Sequence, residues 1–125
     1  MPLPHLDVLV VEDHDDTAVA LKKLFLMFGH SADCVSSVLD AFEFMSTITY
    51  DWIIIDLYLE GTISGLNLVD SILSINTQTR IIISTAMYLT NSEKNELIQR
   101  GVRAILDKPY NLNELLDIVS GNMII

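Results

Sequence analysis

The chain has 125 residues, half of them hydrophobic, and its seven Lys and Arg face seventeen Asp and Glu for a formal charge of −10. That length suits a single domain, 1–125, built on one core. The charge disfavours direct nucleic-acid binding and contact with anionic membranes, and no apolar run approaches the roughly 20 residues needed to cross a bilayer. Met1–His5 has no positive segment and no long apolar stretch after it, so no secretory signal is expected. The lone Cys34 has no partner for a disulfide and no CxxC companion. It fits a reducing, cytoplasmic setting without structural zinc, and is expected to be a small buried side chain.

The first predicted element is the continuous apolar run Val8–Val11, a strand buried on both faces. Leu21, Leu24, Phe25 and Phe28 then recur at helical spacing, and Gly29 stops that helix. A weaker strand, Ser31–Val35, precedes a helix carrying Val38, Ala41, Phe42 and Met45, with Ser36 or Ser37 as its N-cap. Trp52–Ile55 reads as the third strand, Leu66, Val69 and Leu73 as the third helical stripe, and Ile81–Ile83 as the fourth strand. The helix near Ser92–Arg100 is almost wholly polar beyond Leu97 and Ile98, so it can pack only lightly. Ala104–Leu106 is the fifth strand candidate, followed by a helix with Leu112, Leu115, Leu116 and Val119, where Asn111 and Glu114 have capping-box spacing. The order is (βα)₅ with no internal repeat and no linker. Short loops and right-handed crossovers make a doubly wound, three-layer α/β sandwich the economical fold.

In such sheets ligands sit beyond the carboxyl ends of the strands. There the sequence places Glu12 and Asp13 after strand one, Asp56 after strand three, Ser84 and Thr85 at the end of strand four, and Lys108 and Pro109 after strand five. Taken singly, a strand-end Asp or Thr is usually a helix cap and an isolated Lys is usually solvated. Three acids, a hydroxyl and an ammonium on one rim are more specific. Three carboxylates suit a hard divalent cation with oxygen ligands, and Mg²⁺ is the expected occupant. A carboxylate beside it could accept a phosphoryl group as an aspartyl phosphate, with the hydroxyl and ammonium on its oxygens.

These residues, in VLVVEDHDDT, DWIIIDLYLEG, IIISTA and DKPY, make the sequence resemble a receiver domain of a two-component response regulator, chemotaxis-regulator-like, over essentially the whole chain. The resemblance implies a flavodoxin-like sheet of order 2-1-3-4-5. It matches Glu12 and Asp13 to the acidic magnesium pair, Asp56 to the phosphoacceptor, Thr85 to the hydroxyl that reads the phosphoryl group and Lys108 to its salt-bridging partner. It further implies a cis Lys108–Pro109 bond and a magnesium ligand in the backbone carbonyl of Tyr58. Function would be acceptance of a phosphoryl group from a histidine kinase or histidine phosphotransfer protein, without metabolite turnover. The readout would be a partner surface around helix four, strand five and helix five, a downstream protein or fused effector domain, or a phosphorylation-dependent homodimer.

The sequence also departs from the family pattern. Glu60 stands where a proline is common, in a loop one residue longer than usual, and its carboxylate is expected to be solvated. Ile105 replaces the aromatic switch residue and cannot swing a ring, so coupling could run instead through Tyr88 or the fourth helix. Tyr58 and Met87, at positions that tune hydrolysis in the family, are bulky and lack a group to orient water, which predicts slow loss of the phosphoryl group. His14 is expected at an exposed helix entry, Asp15 and Asp16 at the start of the first helix, and His5 and His30 at the surface or at caps. A rival reading takes Asp13–Thr17, DHDDT, as the DxDxT of haloacid-dehalogenase-type phosphatases, with Asp13 as nucleophile, Asp15 as acid/base, and Ser84 and Lys108 in support. It leaves Asp56 without a role, and no acidic pair follows Lys108.

Overall fold

The computed structural model describes residues 5–62, 64–75 and 78–121; of the Met1–His5 stretch that bears on a leader, residues 1–4 lie outside them. Strands β1 (Asp7–Val11), β2 (Ser31–Val35), β3 (Trp52–Ile55), β4 (Arg80–Thr85) and β5 (Ala104–Asp107) alternate with helices α1 (Asp15–Met27), α2 (Val38–Met45), α3 (Ser64–Ile75), α4 (Asn91–Arg100) and α5 (Leu112–Ser120). The sheet is parallel in the order β2-β1-β3-β4-β5, with Val10 beside both Cys34 and Ile54, and Ile54 beside Ile82. This is the doubly wound arrangement expected from the alternation of apolar runs and helical stripes.

Period-2 alternation divides the core in two. Leu9, Val11, Ile53, Ile55, Ile81 and Ile83 pack under α2, α3 and α4, whereas Val8, Val10, Trp52, Ile54, Ile82 and Leu106 pack under α1 and α5. Each fully buried Ile or Leu contributes about 1.5–3 kcal/mol relative to its exposed state, so the sheet centre holds the domain together and its edges hold the chemistry.

Several local expectations shift by a residue or two. On α3 the fully covered stripe is Gly65, Leu68, Val69 and Ile72, with Leu66 and Leu73 flanking it half-buried. On α1, Ala18, Leu21 and Phe25 face the core while Phe28, at the C-cap, is exposed. The Asn111 side chain caps α5 by accepting from the Asn113 N–H at 2.8 Å, whereas the reciprocal capping box lies at α4: Thr90 Oγ1 accepts from Glu93 N–H at 3.1 Å and Glu93 Oε1 from Thr90 N–H at 2.9 Å. That cap helps a helix with one buried residue, Leu97, to persist. Lys94 to Asp107 at 2.8 Å and Arg100 to Asp70 tether it further, though exposed pairs contribute at most about 1 kcal/mol each.

Other side chains depart further from their expected burial. His30 lies inside, 4% exposed, with Nδ1 accepting the Leu6 N–H at 3.2 Å; burial holds its pKa below the ordinary range, which fits a neutral ring accepting a backbone donor. It follows Gly29 directly, its backbone N–H donates to Phe25 O at 3.0 Å, and its ring centroid lies 6.4 Å from that of Phe25. Cys34 is half-buried rather than enclosed, and its thiol donates to the Ala18 carbonyl at 3.4 Å.

Candidate functional site

β1 and β3 are neighbours with Val11 beside Ile55, so the residues that follow them, Glu12 and Asp56, emerge side by side at the carboxyl edge. Backbone bonds continue past the strands: Glu12 N–H to Val35 O at 2.9 Å and Asp56 N–H to Val11 O at 3.1 Å. β2 and β3 flank β1 on opposite sides, which opens a crevice above it. On the other flank β4 and β5 pair Thr85 with Asp107, and Lys108 N–H donates to Thr85 O at 2.8 Å, fixing where the lysine stem begins. The Lys108–Pro109 bond is cis.

The Lys108 ammonium donates to Glu12 Oε1 and, at 3.0 Å, to Asp56 Oδ2. Glu12 is 4% exposed and Asp56 8%. Burial pushes the Glu12 carboxyl above the usual range, while the Lys108 ammonium opposes that rise. The Lys108 pKa is raised although burial alone would lower it, because two carboxylates accept from its ammonium. Asp13 is exposed, yet one oxygen each of Glu12, Asp13 and Asp56 lie within 4.8 Å of one another. Two like charges about 4 Å apart cost about 4 kcal/mol at an effective dielectric near 20. Three ionised carboxylates against one ammonium leave two negative charges uncompensated, the complement of a divalent cation. The donor set, all oxygen and partly open to water, fits Mg²⁺.

Asp56 is held from below as well. Its Oδ1 accepts the Tyr58 N–H at 3.0 Å, and α3 begins directly against it: a Cβ on Gly65 would lie 2.0 Å from the Asp56 carbonyl oxygen and 2.7 Å from Leu57 Cα. Gly65 N–H donates to Leu57 O at 3.1 Å across that contact. Glycine is therefore required there by close approach of two backbones. Sequence reasoning did not single out Gly65; its place at the start of an apolar helical stripe was the available signal.

A cleft of about 460 Å³ covers the acids, lined by His14, Thr17, Tyr58, Ala86, Met87 and Lys108 besides the carboxylates. His14 is the N-cap of α1: Nδ1 accepts from Thr17 N–H at 3.4 Å, and Asp15 and Asp16 fill the first turn, where the helix dipole favours them. Thr85 is not at the surface of this cleft. It is fully buried, and its Oγ1 accepts the Met87 N–H at 3.0 Å, so Ala86 and Met87 form the lining in its place. Ser84, on the opposite face of β4, bonds the half-buried Tyr110 hydroxyl at 3.3 Å. Ile105 packs half-buried against the α2–α4 side of the core, and Tyr88 is 86% exposed.

The profile of the response regulator receiver domain matches residues 8–120. The chain belongs to the response-regulator receiver family. This receiver domain is 32% identical over 109 residues to the transcriptional regulatory protein DltR of Streptococcus agalactiae, covering 87% of this chain and 48% of that protein. It is 29% identical over 127 residues to the transcription factor SKN7 of Candida albicans, covering 99% of this chain and 22% of that one. The receiver domain thus spans less than half the length of these curated relatives. Among solved structures, the receiver domain of the Francisella response regulator 1452 superposes with a TM-score of 0.82 at 27% identity, over 91% of this chain and 93% of that one. A CheY-like receiver domain from Methylobacillus flagellatus gives 0.75 at 29% identity, over 93% and 99%. The fold is the flavodoxin-like one of two-component signalling domains, and the family gives no support to the phosphatase reading of DHDDT. Receiver domains generally bind Mg²⁺ at an acidic pocket, and here Glu12, Asp13 and Asp56 form such a group. Among the described residues no helix is long and apolar enough to cross a membrane.

Proposed function

We propose that the receiver unit occupies 1–125 and is a phosphorylation switch whose acceptor is Asp56, with a phosphohistidine on a histidine kinase or histidine phosphotransfer protein as donor. The observation that carries this reading is the pair of bonds from Lys108 to Glu12 and Asp56 beside Asp13. Glu12, Asp13, Asp56 and the Tyr58 carbonyl would hold Mg²⁺. When bound, the cation supplies charge neutralisation for the transferring phosphoryl group.

An Asp56 carboxylate oxygen attacks phosphorus as the P–N bond breaks, and the electron pair returns to the imidazole nitrogen of the donor. Lys108, already on Asp56 Oδ2, follows the negative charge onto a phosphoryl oxygen. Thr85 Oγ1 accepts from Met87 N–H, so its own hydrogen is free for another phosphoryl oxygen once the 86–87 segment yields. That movement would link charge at Asp56 to the β4–α4 segment, where Tyr88 is exposed, and to a partner surface of α4, β5 and α5. Ile105, packed inward, offers no ring to rotate. A downstream protein, a fused effector domain or a second phosphorylated copy would read that surface.

Incubation with acetyl phosphate and Mg²⁺, followed by intact-mass and peptide analysis, should place one phosphoryl group on Asp56 and none in Asp56→Asn. A label on Asp13 that persists in Asp56→Asn would overturn the assignment. Tyr58 and Met87 line the cleft without a carboxylate or amide to orient water, so the phosphoryl group should be lost slowly after donor removal, and several-fold faster in Tyr58→Ala. A lifetime of seconds that Tyr58→Ala leaves unchanged would refute this.

A further inference from the structure

Of the three acids, Glu12 and Asp56 are buried and fixed by Lys108, whereas Asp13 is exposed and, among the described residues, has no cation within salt-bridge distance. It accepts from a backbone donor of a distant loop, the Glu60 N–H, at 3.0 Å to Asp13 Oδ2. The loop presents that donor through an unusual conformation. Leu59 and Thr62 exchange both backbone bonds, at 2.8 and 2.9 Å, closing a two-residue turn over Glu60 and Gly61. Both central residues have positive φ, 54° and 76°, as a type I′ hairpin turn requires. Among the described residues Glu60 is the one non-glycine with positive φ. Glutamate gains nothing there from its side chain, since left-handed backbone favours Gly or Asn. The turn is anchored beneath by Leu59, whose side chain is fully buried and whose carbonyl also accepts from Thr62 Oγ1 at 3.2 Å and Ser64 Oγ at 3.3 Å. Strained backbone held this firmly points to a positional role.

We propose that the Leu59–Thr62 turn is a clamp and Glu60 a positioning residue: its backbone N–H holds Asp13 Oδ2 and so presets the exposed acid of the triad for the cation. This rests on the reading that Glu12, Asp13 and Asp56 bind Mg²⁺. A free Asp side chain must lose rotamer freedom on binding a metal; a tethered one has already lost it, which favours binding. The clamp acts through the backbone, so it tolerates any residue at 60 that keeps the turn.

Gly61 provides the means to open it. A Cβ there meets nothing within 4 Å, and a β-branched residue refuses the left-handed conformation, so Gly61→Val acts on the turn through its backbone. Mg²⁺ affinity should be measured by calorimetry on the unphosphorylated full chain, with Mn²⁺ titration by electron paramagnetic resonance as a second probe. Gly61→Val should weaken binding about three- to tenfold, whereas Glu60→Gly, which keeps the N–H and relieves the strain, should bind within twofold of the parent and melt no lower. Metal-free hydrogen exchange gives an independent readout: the Glu60 amide should be protected in the parent and exchange at least several-fold faster in Asp13→Ala. Parent binding with unchanged affinity in folded Gly61→Val, or equal Glu60 exchange with and without the Asp13 carboxylate, overturns the clamp while leaving the metal site intact. Absence of any binding to the parent at millimolar Mg²⁺ overturns the metal site and the clamp with it.

Discussion

The two ends of the sheet are built from similar residues and reach opposite outcomes. At the amino end, Asp51 Oδ2 accepts the Asp7 N–H at 2.8 Å, Tyr50 donates to Asp33 Oδ2 at 2.6 Å, Thr79 Oγ1 donates to Tyr50 O at 2.9 Å, and the His5 ring bonds Gly29 O at 2.7 Å. Arg80 stacks over Trp52, 4.4 Å from the ring centroid. These hydrogen-bonded groups close on backbone atoms or on complementary side chains, and the contacts act as structural fastening. At the carboxyl end three carboxylates converge and two of them, Glu12 and Asp56, share one lysine, leaving uncompensated charge and an open cleft. Polar residues at a strand end thus say little by themselves; whether they satisfy backbone or face each other separates fastening from a site.

The strongest way to break this contrast is at the carboxyl end with Gly65→Ala. The added methyl meets backbone on both sides, so either α3 or the Asp56–Leu57 peptide must move. Stability should fall by about 1–3 kcal/mol, seen as a lower melting temperature, and phosphorylation by a small donor should drop sharply in protein that remains folded. Unchanged melting and phosphorylation would show that the approach is looser than described.

A smaller, purely structural effect is expected at the amino end. Tyr50→Phe removes the bond to Asp33 and should cost about 1 kcal/mol in denaturant unfolding, without altering the phosphorylation rate. Burial and the neighbouring Asp33 carboxylate hold the phenol far above its usual pKa, so it donates as a neutral group at any ordinary pH. A large change in phosphorylation here would mean that the two ends communicate.

The smallest effect concerns pH. His30 has its pKa lowered below the ordinary 6.5, by burial first and then by the proximity of His5; the Leu6 N–H and the Phe25 ring face it from the neighbouring elements. Between its folded and unfolded pKa values the native state binds fewer protons than the unfolded one, so stability rises with pH. The contribution is complete above about pH 6.5 and is lost as pH falls through the folded pKa. His30→Asn should flatten the stability profile as pH falls below about 6.5 relative to the parent; an unchanged slope would place the titration elsewhere.

Much of this could be read from the sequence because the signals are local. Strand cores such as Trp52–Ile55 and helical stripes such as Leu115–Val119 are written in consecutive residues. Parallel topology then required Glu12, Asp13, Asp56, Thr85 and Lys108 to share one edge. Harder to read was anything set by a contact between distant segments. The spacing around Leu66 and Leu73 identified the α3 stripe, but the approach of Gly65 to Asp56 decided which side lies flat on the sheet. The pattern placed His30 at the surface or a cap, and its contacts with the Leu6 amide and the Phe25 ring bury it. Thr85 stood at a strand end in the sequence, and the turn at Ala86–Met87 covered its hydroxyl.

By itself, then, the sequence determined the five βα units, the two-sided burial of the strands and the group of residues at their carboxyl ends, since periodicity and connectivity leave few ways to bury so many Val and Ile side chains. The tertiary structure alone decided how the two acids next to β1 divide. Glu12 turns inward to Lys108 and Asp13 outward to the amide of Glu60. Those assignments depend on donors 96 and 47 residues away along the chain, brought close by the pairing of β1 with β3 and of β4 with β5, and no local pattern encodes the direction in which each carboxylate finds its partner.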